Sequence, residues 1–221
     1  MKIVVAVIVY SRYSNIERWA RCWQKCDAAS AQLVVVHNFR NEQDMRMYQS
    51  FCRSRGITYV PRPNVGYDIG AFQDVCNNRL AGFPMDFDYL LWCTDDLWPM
   101  KKDFVHRYLA GFQDPDVVCV CYELSKEVHP HIRTTGFMLH KDTLPKIRFN
   151  VDPIQTKVQC YEFEHRDKQM SLVDQLNRFG KSVQVEPDVE HTCMWDTGHN
   201  SREALRRRHR RQMEHYKVFG G

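Results

Sequence analysis

Two adjacent carboxylates, Asp95 and Asp96, follow the apolar stretch Tyr89–Cys93. At the end of a buried strand such a pair can hold a hard divalent cation against a diphosphate, since hard cations take oxygen ligands. An isolated Asp-Asp pair serves as readily as a helix cap beside a solvated carboxylate, and it is the place after a strand that favours the cation. A second segment, Asn64-Val65-Gly66-Tyr67-Asp68-Ile69-Gly70-Ala71-Phe72, joins a turn-forming Asn and two glycines to an acidic residue at a helix start. Gly66 and Gly70 admit close approach of backbone or ligand. The segment lacks the first glycine pair of a dinucleotide fingerprint. His191 and His199 flank Thr192–Gly198; either imidazole suits the third position of a manganese site begun by Asp96, although a single histidine is more often structural. Three further carboxylates, Glu162, Glu164 and Asp167, stand just before the helical period of Met170, Leu172, Val173, Leu176 and Phe179. A carboxylate on the approach to a helix can accept a proton from a hydroxyl nucleophile. Glu162 and Glu164 would share one side of an extended segment, and Asp167 would cap the helix. Gly180-Lys181-Ser182 looks like the end of a phosphate-binding loop, but Gln175 stands where the first glycine belongs. No HExxH or GxSxG occurs, and serine or cysteine nucleophile chemistry lacks a local anchor.

These residues need a scaffold that delivers strand ends to one edge, and the hydropathy pattern supplies it. Strand-like apolar runs alternate with segments of helical period, the signature of an α/β domain with a mostly parallel sheet. Strands are expected at Lys2–Tyr10, Gln32–His37, Thr58–Val60 and Tyr89–Cys93, with helices at Asn15–Ala28, Glu42–Arg55 and Asp68–Leu80. The second half is mixed: strands at Val117–Tyr122, Thr135–Leu139 and Ser182–Val185, and an amphipathic helix over Lys168–Phe179. Ligands of open α/β sheets bind beyond the carboxyl ends of the strands. That rule singles out Tyr10, Ser11 and Arg12, then His37 and Asn38, then Arg62, Asn64, Gly66 and Asp68, then Thr94, Asp95 and Asp96. No repeat or linker interrupts residues 1–200, which read as one domain, and residues 201–221 read as a basic helical tail.

Composition narrows the class. The chain has 221 residues, 43% hydrophobic and 12% aromatic, enough for one sizeable core. Its longest apolar run, Ile3–Val9, is far short of the ~20 residues that span a bilayer, and it is read as a first buried strand because it ends in Tyr10-Ser11-Arg12 without a small-residue cleavage site. Nine scattered cysteines with no CxxC pair favour reduced thiols, a cytoplasmic setting and core packing over zinc. The net charge of +4 is concentrated in the run Arg206–Arg211, so the body of the protein has no basic face suited to nucleic acid. The run suits an acidic membrane surface or an acidic acceptor, or is simply a solvated helix face.

With these residues in place, the chain resembles GT-A nucleotide-sugar transferases, particularly the family 2 group and its rhamnan-synthesis branch, over roughly residues 1 to 200. Ile8-Val9-Tyr10-Ser11-Arg12 is similar to the family's first-strand ending, where the aromatic residue lies near the nucleobase. Asn64-Val65-Gly66-Tyr67-Asp68-Ile69-Gly70 is similar to the branch's N-x-G-x-D-x-G loop, whose acidic residue lies near the nucleotide. Thr94-Asp95-Asp96 occupies the place of the family's DxD motif with threonine at its first position. The resemblance implies Asp96 as the direct ligand of a manganese or magnesium ion and Asp95 as a sugar or ribose contact. Thr134-Thr135-Gly136-Phe137 looks like the strand that lines the acceptor side. The family's acidic base pair falls on Lys168-Gln169 here, a departure that moves the candidate base upstream to Glu164, then Asp167, then Glu162. The implied activity is inverting transfer of a sugar from a nucleoside diphosphate to a hydroxyl of a glycan or glycolipid. A nucleotide-sugar-binding protein without turnover and a metal-dependent nucleotidyltransferase are the alternatives.

Overall fold

The computed structural model describes residues 1–28, 30–125, 130–166, 170–185 and 194–196. In chain order the first half contains β1 (Ile3–Val9), α1 (Tyr13–Trp23), β2 (Ala31–Phe39), α2 (Glu42–Arg53), β3 (Thr58–Pro63), α3 (Tyr67–Cys76) and β4 (Tyr89–Thr94). The second half contains β5 (Leu97–Pro99), α4 (Phe104–Ala110), β6 (Val117–Cys121), β7 (Leu124–Ser125), β8 (His131–Ile132) and β9 (Gly136–His140). Then come α5 (Lys157–Tyr161), a π-helical turn over Glu162–Arg166, α6 (Leu172–Asn177), β10 (Lys181–Gln184) and β11 (Met194–Asp196).

Seven strands form one sheet in the order β10-β6-β9-β4-β1-β2-β3. β1 pairs in parallel with β2 and β4, β2 with β3, and β10 with β6, while β9 runs antiparallel between β4 and β6. The expected mostly parallel α/β sheet flanked by helices is the architecture found. Every residue of β1 is buried, as a central strand covered on both faces requires. Val4, Ala6 and Ile8 pack under α3 and α6, and Ile3, Val5, Val7 and Val9 pack against α1, α2 and α4. The period of two therefore divides the apolar side chains between two cores on opposite faces.

Several boundaries shift for local reasons. The third strand extends through Pro61 and Pro63 because β3 is an edge strand whose missing N–H groups face no neighbour. α2 starts where Asn41 accepts a hydrogen bond from the Asp44 N–H at 2.9 Å, an ordinary N-cap. The helix expected over residues 168–179 is shorter, starting at the Ser171 cap. The stretch before it is not extended, because residues 157–166 coil through α5 into the π turn, and this separates Glu162 from Glu164. The tail at 201–221 lies outside the described residues. Among the described residues no helix is long and apolar enough to cross a membrane, and the cysteines are free thiols, with Cys52, Cys93, Cys119, Cys121 and Cys160 buried.

Candidate functional site

β1 is the point where the chain order reverses, since β2 lies on one side of it and β4 on the other. A crevice opens at such a switch point. The register aligns Ile8 with Thr94 and Val9 with His37, so the segments leaving β1 and β4 emerge side by side. Tyr10 is exposed there and Arg12 sits at the start of α1.

Asp95 and Asp96 lie at this edge, both partly buried. Thr94 Oγ1 donates a hydrogen bond to Asp96 Oδ1. Burial, then the Asp96 charge beside it, push the Asp95 carboxyl up to about 7, and contacts with Asn15 and Arg12 only partly offset this. The result is a crowded acidic pair of hard oxygens, a donor set that fits Mg²⁺ or Mn²⁺. Among the described residues no group of three His, Cys, Asp or Glu side chains surrounds it; His191 and His199 lie outside them. Asn15, on the buried face of α1, was not singled out by motif. Its signal was a polar residue one turn from Trp19 on an apolar face.

The second pole forms around Thr134. Its N–H and Oγ1 approach Glu164 Oε1 at 3.3 and 3.1 Å, and Oγ1 lies 3.5 Å from Asp68 Oδ2. Burial first, and the Glu164 charge second, raise the Asp68 carboxyl, with Lys157 opposing. The π turn aims Glu164 inward while its neighbour Phe163 stacks on Phe149 at a centroid distance of 4.6 Å. The next residue, Thr135, joins the poles: its carbonyl accepts from the Thr94 N–H at 2.9 Å. Two consecutive residues at the head of β9 thus touch the Asp68–Glu164 pair and the strand end that carries Asp95-Asp96. Glu162 makes no part of this constellation, and Asp167 lies outside the described residues.

Other expected site residues hold the frame. His37 is wholly buried and stacks on Tyr48 at 3.9 Å. Its Nδ1 is 2.8 Å from Tyr59 Oη and its Nε2 3.3 Å from the Tyr10 carbonyl, and burial lowers its pKa against the pull of Asp44. Asn38, 2% exposed, donates to the Tyr67 carbonyl at 3.1 Å and accepts from Arg62 at 2.6 Å. Arg62 also donates to the Val65 carbonyl and pairs with Asp74, both at 2.8 Å. These two side chains clamp the loop that carries Asn64, which is half-buried, and Gly66. Gly66 has φ +70°, and a Cβ there would meet the Ile154 carbonyl oxygen at 2.2 Å; a Cβ on Gly70 would meet the Val65 carbonyl at 2.4 Å. Both glycines are required by neighbouring backbone.

No protein-family model matches the chain, and no curated protein does. Solved structures do. One is a mannosyltransferase of Pyrobaculum calidifontis in complex with GDP-Man and Mn²⁺, 12% identical over 85% of this chain and 55% of that one, with a TM-score of 0.57. Another is glucosyl-3-phosphoglycerate synthase of Mycobacterium tuberculosis in complex with phosphoglyceric acid, 13% identical over 83% of this chain and 70% of that one, at 0.54. A third is a cytidylyltransferase of Leptospira borgpetersenii serovar Hardjo-bovis, 13% identical over 89% of this chain and 82% of that one, also at 0.54. The chain spans little more than half the length of the mannosyltransferase. At these identities the likeness shows the fold, which is of the GT-A, Rossmann-like type.

Proposed function

We propose that this chain is a glycosyltransferase that moves a sugar from a nucleoside diphosphate to an acceptor hydroxyl of a glycan or glycolipid with a divalent cation. The observation that carries this reading is the joining of the two acidic poles by Thr134 and Thr135. One pole suits a diphosphate and its metal, the other suits proton acceptance from an attacking hydroxyl. A cation held by Asp96 would neutralise the departing diphosphate. His199 is the better of the two candidate histidines: β11 runs antiparallel to β5 and pairs Asp196 with Leu97, next to Asp96, and His199 follows three positions on in the sequence. Glu164 is the proposed base, held through Oε1 by Thr134, with Oε2 taking the acceptor proton in this reading. Tyr10 and Arg12, exposed at the strand edge, would meet the nucleotide, while His37 supports the Tyr10 backbone and Asn38 holds the loop through the Tyr67 carbonyl. Inversion is the stereochemistry this reading expects, on the family resemblance alone. Residues 1–200 act as one domain in this reading.

The test is to incubate the protein with a panel of nucleotide sugars, with and without manganese, and to measure released nucleoside diphosphate. Manganese-dependent release is the expected result. The cytidylyltransferase neighbour, matched over 82% of its length, favours nucleotidyl transfer as the second reading. Offering nucleoside triphosphates with sugar phosphates and measuring pyrophosphate separates the two, because only nucleotidyl transfer releases it. Tight nucleotide-sugar binding with neither product would indicate a binding protein.

A further inference from the structure

We propose that Asp68 serves the acceptor side of the site, as the far member of a proton-sharing chain Asp68–Thr134–Glu164, and is not a nucleotide ligand. This rests on the glycosyltransferase reading for its purpose but on geometry for its existence. Thr134 Oγ1 sits between two carboxylate oxygens, 3.1 Å from Glu164 Oε1 and 3.5 Å from Asp68 Oδ2. A hydroxyl has a single hydrogen and can donate to only one of them. The shorter contact, reinforced by the Thr134 N–H at 3.3 Å, assigns that hydrogen to Glu164. The Oγ1 lone pair then faces Asp68, which completes the chain only if Asp68 carries a proton and donates it. Two ionised carboxylates around one hydroxyl would repel, and sharing one proton removes the repulsion.

The surroundings keep this arrangement in place. Asp68 is in the first turn of α3, behind Tyr67, a non-glycine residue with φ +55°. That conformation is costly unless its neighbours over-determine it, and Asn38 and Arg62 both donate to the Tyr67 carbonyl. Among the described residues, the charged and titratable groups near the pair include Lys157, Cys160 and His165. Lys157 of α5 lies 5.0 Å above the Tyr67 ring and 5.6 Å above the Tyr161 ring, and eases the ionisation of Asp68. The Cys160 thiol donates to the Gly66 carbonyl and is pushed up to about 12 by burial and by the charges of Asp68 and Glu164. His165, next after Glu164, packs against His131 of β8 and Tyr161. Asp68 also accepts its own N–H and that of Ile69, which favour its charged form, yet burial and Glu164 outweigh them. In the reaction the acceptor O–H bond breaks as its proton passes to Oε2 of Glu164, and the acceptor oxygen bonds to the anomeric carbon as the diphosphate leaves. Asp68 and Thr134 are positioning residues that fix which Glu164 oxygen stays available.

The experiment is a carboxyl-carbon NMR titration of the full chain, paired with calorimetry of GDP and UDP, each with manganese. Asp68 is expected to titrate above the ordinary carboxylate range. It should move back towards that range in Glu164→Gln and shift in Thr134→Val, with Thr134→Ser restoring the parent curve. Asp68→Asn should bind nucleoside diphosphate within about two-fold of the parent, because an amide keeps a donor towards Thr134. An Asp68 carboxyl that titrates in the ordinary range and ignores Glu164→Gln would overturn the proposal. So would loss of nucleotide binding in Asp68→Asn, which would return Asp68 to the nucleotide. If the parent binds neither nucleotide yet the titration behaves as expected, the proton-sharing pair stands and the glycosyltransferase reading falls.

Discussion

Asp95 and Asp96 are neighbours whose surroundings differ. Asp96 accepts from Thr94, whereas Asp95 is the more burdened carboxyl, raised from 3.8 to about 7 by burial and by Asp96. A carboxyl that keeps its proton longer in the folded chain than in the unfolded one contributes stability below about pH 4, and that contribution is lost as pH rises through about 7. The proposed cation on Asp96 would be favoured by an ionised Asp95 beside it, so manganese and protons would compete. Manganese affinity should climb between pH 6 and pH 8 with net proton release, as read by calorimetry in buffers of different ionisation enthalpy. Manganese should also raise the thermal midpoint more at pH 8 than at pH 6. Asp96→Ala should abolish manganese-dependent binding of a nucleoside diphosphate; binding as tight as the parent's would show that the cation lies elsewhere.

Among the elements, the π turn over Glu162–Arg166 and the loop into α3 decide most. Successive side chains of a helical turn point well apart, so Glu162 and Glu164 diverge where an extended segment would align them. Glu164→Gln should therefore cut transfer by at least about 10²-fold while sparing donor binding, whereas Glu162→Gln should leave transfer near normal. Equal losses in both would argue that the turn straightens when substrate binds. In the loop, Gly66 combines φ +70° with the Ile154 carbonyl in the space a Cβ would take, while Gly56 has φ +64° and open space around it. Gly56→Ala should cost only about 1 kcal/mol for its backbone conformation. Gly66→Ala should cost at least about 2 kcal/mol, since conformation and overlap add. Urea unfolding of the two variants measures the difference directly.

At the scale of the whole molecule, one antiparallel strand changes what the sheet can do. β9 enters beside β4 from the opposite direction, so its first residues arrive at the edge where the parallel strands end. That is why Thr134 and Thr135, 40 and 41 positions beyond Thr94 in the chain, meet Glu164 and the strand end before Asp95-Asp96. The arginine run at 206–211 lies beyond this framework in sequence. Deleting residues 202–221 should leave nucleotide-sugar turnover intact while weakening binding to anionic vesicles, since basic residues near such a surface contribute about 1 kcal/mol each. Loss of turnover in a truncated chain that still folds would instead tie the tail to the chemistry.

The parallel core was legible because its signals are local. Short apolar runs such as Ile3–Val9 and Leu33–Val36 read as buried strands, and Asp95-Asp96 and Gly66-x-Asp68 announce themselves by adjacency. What one-dimensional order does not contain is pairing. Nothing near Asp68 points to Glu164, 96 residues away, and nothing near His37 shows that a ring placed after a strand will be sealed by Tyr48 and Tyr59. Those relations depend on the direction of β9, on the turn taken by 162–166 and on the register that sets His37 beside Val9. Each is settled by contacts between distant segments, where burial and hydrogen bonding outweigh local propensity, and so only the tertiary structure could decide them.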